Sequence, residues 1–284
     1  MASRSPCLGL VFSSRAEGPL VGNRSCRQGP LALEREDVAR SRPQAGPAST
    51  CIGKLVFASR GLQGKAGAHA RRPLFEVLGK IEAIQKAGSW PPQVQVSLHL
   101  WAKLLRRGPP RAVPLVPAGA PVAVLYGDAA LSTSRVAALL AIPARVFCEG
   151  FSLALPPAVL ETLGPGAEHA VNGAEAWWIA KALEVRGEEL RSLSLFCFGD
   201  NTAAVSGCIK GYARSPNVAC VVGAIHDLMC TFDIRCWSEY VHTASNPLDA
   251  ASREGGEAAL RELGAEVVAT APTLTVDFSR CHCT

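Results

Sequence analysis

The sequence predicts an α/β fold: a mixed five-stranded sheet with helices on both faces, preceded by a small helical region. Three observations carry this. Five segments of strand length, two of them apolar runs that end at an aspartate, lie in the last two thirds of the chain, within the order β, β, β, α, β, α, α, β, α. The first three strands follow one another directly, as in an antiparallel meander, whereas the later ones are separated by helical segments, as in crossovers. Apolar residues make up 48% of the 284 residues, enough for a sizeable core.

Residues 1–48 are rich in Gly, Pro, Ser and Arg and show no sustained period, so they read as a disordered or degenerate segment. Residues 49–115 change character. Ser49–Arg60 and Pro73–Lys86 carry helical spacing, the latter through Leu74, Val77, Leu78, Ile81 and Ile84. Val94–Leu105 places Leu98, Trp101, Leu104 and Leu105 on one side of a third helix. Gly108-Pro-Pro110 and Pro114–Pro121 form a Pro-rich connector. The next domain spans 116–255. Val122–Tyr126, Val136–Ala141 and Ala144–Leu153 are strands, and Asn172 is placed to cap a helix running to about Val185. Ser192–Phe198 is a strand, Thr202–Lys210 a short helix, and Asn217–Phe232 a longer helix with Val218, Val221, Val222, Ile225, Leu228 and Met229 on its apolar face. Ile234–Val241 is the fifth strand, followed by a helical turn after Asn246; residues 256–284 read as a C-terminal tail.

The net charge of +5 is mild but uneven. Lys54, Arg60, Lys65, Arg71, Arg72, Lys80, Lys86, Lys103, Arg106, Arg107 and Arg111 face only Glu76 and Glu82, which makes the stretch a phosphate-facing surface or a solvated helical face. The eleven cysteines form an odd, irregular set without a Cys-x-x-Cys pair. Cys281-His282-Cys283 lacks a second ligand pair, so no zinc site is expected; Cys197, Cys208, Cys220 and Cys230 lie in apolar runs and read as core residues. A reducing compartment, cytoplasmic or nuclear, fits this usage. No apolar run approaches a membrane span, and Cys7–Phe12 is too short for a secretory core, although Arg4, Arg15 and Arg24 against Glu17 are a charge pattern shared with transit peptides.

Against only 24 acidic residues, four stand at element ends: Asp128 after the first strand, Glu175 at the opening of the long helix, Asp200 after the fourth strand, and Asp249 in Asn246-Pro-Leu-Asp-Ala-Ala-Ser-Arg253. Each has a structural alternative. Asp128 suits a turn, Asp200-Asn201-Thr202 suits a helix N-cap, Asn172-Gly-Ala-Glu175 suits a capping box, and Asp249 could cap a short helix. Together, carboxylates at the carboxyl ends of neighbouring parallel strands can hold two hard cations about 4 Å apart, the arrangement for in-line phosphodiester cleavage. An unrelated α/β protein would leave the four acids scattered.

Their order carries a resemblance. Leu125-Tyr-Gly-Asp-Ala-Ala130, Val171-Asn-Gly-Ala-Glu-Ala-Trp-Trp-Ile-Ala180, Phe198-Gly-Asp-Asn-Thr-Ala-Ala204 with Lys210-Gly-Tyr-Ala-Arg-Ser-Pro-Asn217, and Trp237-Ser-Glu-Tyr-Val241 with Ser245–Arg253 resemble the successive blocks of a type 1 ribonuclease H domain from a DIRS-like retroelement reverse transcriptase. The likeness spans 121–253. Upstream, Ile52-Gly-Lys-Leu-Val-Phe-Ala58, Arg71-Arg-Pro-Leu74 and Leu98-His-Leu-Trp101 are similar to the thumb and connection region of such elements. There is no Tyr-x-Asp-Asp motif, so polymerisation is not expected. Leu131-Ser-Thr-Ser-Arg135 replaces the family's Gly-rich segment, and Phe151–Ala170 reads as an insertion.

The resemblance implies a ribonuclease H-like fold and a metal-dependent endonuclease that cuts the RNA strand of RNA–DNA hybrids. It implies two Mg²⁺ ions, with Mn²⁺ as an alternative, one held by Asp128 and Asp200 and the other by Asp128, Glu175 and Asp249. Asn201 is implied for the substrate 2′-hydroxyl, Lys210 and Arg214 for a phosphate, and His242 for product release. The implied partners are hybrid nucleic acid and other parts of a retroelement polyprotein, with no membrane. The alternative is a catalytically inactive remnant that still binds nucleic acid.

Overall fold

The computed structural model describes residues 4–7, 10–15, 18–23, 43–59, 65, 67–107, 113–114, 119, 121–163 and 167–269. The Cys281-His282-Cys283 cluster, Arg60, Arg111 and most of the Pro-rich connector lie outside them. The chain divides into two units, Met1–Gly119 with Cys283–Thr284, and Ala120–His282. No helix among the described residues is long and apolar enough to cross a membrane.

In the first unit, β1 (Arg4–Cys7), β2 (Leu10–Arg15), β3 (Gly18–Asn23) and β4 (Val113–Pro114) form an antiparallel sheet in that order. Helices α1 (Ala45–Ser59), α2 (Arg72–Leu78), α3 (Ile81–Ala87) and α4 (Pro92–Arg107) follow. The single helix expected over Pro73–Lys86 is two, broken at Gly79-Lys80, and the second ends at Gly88 in the left-handed conformation with φ 76°. Apolar faces of α1, α2 and α4 meet in a core of Cys51, Leu55, Leu74, Val77, Leu98 and Trp101.

The second unit is a mixed α/β sheet with helices on both faces. Its strands are β5 (Val122–Ala130), β6 (Arg135–Ile142), β7 (Phe147–Ala154), β8 (Ser194–Gly199), β9 (Arg235–Tyr240) and β10 (Glu266–Val267). The sheet has six strands in the order β10-β7-β6-β5-β8-β9, where five were expected. The addition is β10, two residues parallel to β7, too short to show any alternation in sequence. β5, β6 and β7 form the antiparallel meander, while β8 runs parallel to β5 and β9 parallel to β8.

Two helices precede β8: α5 (Pro157–Leu163) and α6 (Ala167–Arg186). α6 begins well before Asn172, so Asn172 is an interior residue and not a cap. The span Phe151–Ala170, read as an insertion, holds the end of β7, then α5, then the first turn of α6. α7 (Thr202–Lys210) and α8 (Pro216–Thr231) connect β8 to β9, and α9 (Gly256–Glu262) lies where a plain tail was expected. One sheet face packs Ala123, Leu125, Leu195 and Cys197 against Trp177, Trp178, Leu183, Val222 and Ile225 of α6 and α8. On the other face, Ala137 and Leu139 of β6 pack against Leu248, Ala251 and Leu260. Burial of these apolar surfaces is the main favourable term in folding the unit.

Candidate metal centre

Three of the four acids come together. One carboxylate oxygen from each of Asp128, Glu175 and Asp200 lies within 4.8 Å of the others. Asp128 sits inside β5, opposite Ala137 of β6, not in a turn. The β5–β8 ladder ends at Tyr126–Phe198, so Asp128 projects just beyond it, and Asp200 follows the last residue of β8 at the same end. Parallel pairing of β5 and β8 is what brings two residues distant in sequence to one sheet edge. Glu175 is two turns inside α6, so the capping box is excluded. Asp200 is not the N-cap of α7 either: Asn201 is, accepting from Ala204 N–H at 2.9 Å.

Asp249 stands beside this group. It forms a 2.8 Å ion pair with Arg253 in a turn, with no α-helix for it to cap, and falls outside the set of oxygens within 4.8 Å. It is near enough for its charge to act on Asp128.

The carboxylates are held by groups the sequence did not single out. Trp178 Nε1 donates to Glu175 Oε2 at 3.1 Å, and Ala129 N–H donates to Oε1 at 3.3 Å. The buried Asn246 donates from Nδ2 to Gly127 O at 3.1 Å and to Asp128 Oδ1 at 3.4 Å. Ser252 is fully buried beside Asp128, and its hydroxyl donates to Asp249 O at 3.1 Å. Trp178 lies within the Val171–Ala180 block and Asn246 within Ser245–Arg253, and membership of those blocks was the one sequence signal for them.

Burial dominates the electrostatics. Asp128 is pushed up from 3.8 to about 6, first by burial, with the nearby Ser252 hydroxyl opposing and the charges of Asp200 and Asp249 adding. Glu175 is pushed up from 4.5 to about 8, first by burial, then by Asp128 and Asp200, against the bond from Trp178. Desolvation and like charge both disfavour ionisation. A divalent cation removes both penalties at once, and an all-oxygen donor set suits a hard ion, so these residues fit the metal that the motif order implies.

Asn201 donates from Nδ2 to Asn172 Oδ1 at 2.9 Å. Lys210 and Arg214 are exposed, at the end of α7 and in the loop after it. His242, also exposed, accepts Ala244 N–H on Nδ1 at 3.2 Å.

Gly127 fixes the approach of α6 to β5. A Cβ there would lie 2.3 Å from the Trp178 ring. We expect Gly127→Ala to destabilise the domain by at least about 2 kcal/mol, as overpacking does, measured by chemical denaturation; an unchanged midpoint would show that the indole yields freely.

No protein-family profile and no curated protein matches this chain. Among solved structures, it is similar to the N-terminal RNase H domain of Rv2228c from Mycobacterium tuberculosis, solved as a fusion with maltose-binding protein. That similarity has 12% identity and a TM-score of 0.36, covering 51% of this chain and 99% of that one. It is also similar to RNase H1 from the halophilic archaeon Halobacterium salinarum, at 16% identity and a TM-score of 0.35, covering 49% of this chain and 98% of that one.

Proposed function

We propose that residues 116–255 form a ribonuclease H-like domain that cuts the RNA strand of RNA–DNA hybrids with divalent metal. The observation that carries this reading is the meeting of Asp128, Glu175 and Asp200, from two parallel strands and a helix, at one sheet edge. Asp128, Glu175 and Asp200 would hold Mg²⁺, or Mn²⁺, through oxygen alone, with Asp249 joining when it leaves Arg253. When bound, a pair of such ions supplies an ionised water at neutral pH and charge stabilisation at the leaving oxygen. The chain's own part is positioning. Trp178 and Ala129 N–H fix Glu175, Asn246 fixes Asp128, and Ser252 ties the backbone at Asp249. Asn201 uses one amide hydrogen on Asn172 and has a second for a 2′-hydroxyl, the group that separates RNA from DNA. Lys210 and Arg214 are assigned to backbone phosphate, and His242 to release of the cut product.

The same reading takes residues 49–115 as thumb- or connection-like, within a retroelement reverse transcriptase polyprotein of cytoplasmic or nuclear location. Lys54, Lys80, Lys86 and Lys103 are exposed there and suit duplex phosphates. The test is cleavage of end-labelled RNA in a hybrid, with Mg²⁺ against chelator, and with DNA and RNA duplexes as controls. Cleavage of the hybrid alone, dependent on metal, supports the reading; no cleavage at any metal concentration rejects it.

One observation favours a second reading, a remnant that binds without cutting. Arg253 holds Asp249 in an ion pair outside the carboxylate trio. Hybrid binding that persists without cleavage in Mg²⁺ and Mn²⁺ alike would select it.

A further inference from the structure

β9 is the outer strand of the six-stranded sheet, and nothing among the described residues pairs with its far side. Arg235 N–H donates to Leu193 O and Val241 N–H to Gly199 O. Peptide groups alternate along a strand, so those of Cys236, Ser238 and Tyr240 face the open side. Natural edges are usually blunted by charge, proline, a bulge or a cover. Here Trp237 is 62% exposed and Tyr240 42%. The exposed apolar surface continues inward to Phe196, the register partner of Trp237.

The side chains on this edge match a second copy of themselves. Arg235, Trp237 and Glu239 share one face. If two β9 strands run antiparallel about a two-fold axis at Trp237, Cys236 lies opposite Ser238 of the other copy. That places the outward-facing peptide groups in hydrogen-bonded pairs, as the ladder requires. The two Trp237 side chains meet in a non-hydrogen-bonded pair, where side chains are closest, and each Arg235 lies opposite a Glu239. Aromatic and opposite-charge pairs are the favourable cross-strand combinations. Within one copy Glu239 accepts from Tyr240 N–H at 3.2 Å and from Trp237 Nε1 at 3.3 Å; on pairing it would exchange the first of these for Arg235 of the second copy. An isologous contact of this kind closes on itself.

We propose that β9 is a self-complementary edge through which two copies of this chain form a continuous twelve-stranded sheet (two times the six strands observed). The proposal does not depend on the nuclease reading. A contact of one strand each is at the small end of specific interfaces, so the dimer is of micromolar affinity. Sedimentation of the full chain, in reductant and at up to about 100 µM, where such a dimer is largely formed, reads it directly. Arg235→Glu and Glu239→Arg, each placing like charges opposite, are expected to weaken the dimer about tenfold or more, and the double exchange to restore it. Ser238→Pro removes one outward N–H without touching the β8 ladder and is expected to leave a folded monomer, with circular dichroism as the check on folding. A wild-type monomer at the highest concentration overturns the proposal and leaves the edge to a strand from another protein. A dimer indifferent to Arg235→Glu, or not restored by the exchange, overturns it as well.

Discussion

Asp200→Asn is expected to abolish metal-dependent cleavage of the hybrid, by at least about 10³-fold, the scale on which removal of one member of a catalytic constellation acts. The exchange keeps the shape of the side chain and leaves the cap of α7 intact, because Asn201 makes that bond. It removes one of three oxygens that lie within 4.8 Å of one another. It also removes a charge that pushes up both Asp128 and Glu175. The metal-free variant should therefore melt no lower than the wild type, while its stabilisation by Mg²⁺ is lost. This pairing separates a ligand from a structural residue. Cleavage at the wild-type rate, or a collapsed fold, would reject the assignment.

Stability in chelator is expected to fall as pH rises from about 4 to about 8. Asp128 and Glu175 hold their protons in the folded chain to about 6 and about 8, whereas the unfolded chain releases them near 3.8 and 4.5. Below the unfolded values both states are protonated and the pair contributes nothing to the pH dependence. Through the window the folded state binds more protons, so the slope of unfolding free energy against pH is negative. For Asp128 alone the loss is about 3 kcal/mol, at roughly 1.4 kcal/mol for each tenfold change in proton affinity. Glu175 adds to it, in a way coupled to Asp128. Because cations take the place of protons, Mg²⁺ should stabilise the protein more at pH 8 than at pH 5. Denaturant titrations across this range check the slope, and Glu175→Gln should flatten it. Equal slopes in variant and wild type would show that the window belongs to other groups.

The antiparallel meander and the helical crossovers that follow it were legible from the chain order of strand-length and helix-length segments, and α7 is found over the residues expected, Thr202–Lys210. The start of α6 was not legible. Asn172 looks like a cap, but tertiary contact overrides that local signal: its side chain is engaged by Asn201 of another element. β10 and α9 were missed because two strand residues and seven helix residues carry too little periodicity. The motif order pointed to Asp128, Glu175 and Asp200. It could not show that Arg253, four residues on, engages Asp249, since both lie in the same turn segment and the choice of partner is made by side-chain geometry. Nor could it show Asn246 bracing Asp128, because that contact crosses more than a hundred residues of chain.

Trp178 fills the space that only a glycine at 127 leaves open, and the nitrogen of the same ring steadies Glu175. Interior packing and the carboxylate edge thus share one heterocycle. Drift that loosens the first also displaces the second, so a lineage carrying this domain is not free to change one without the other at that position.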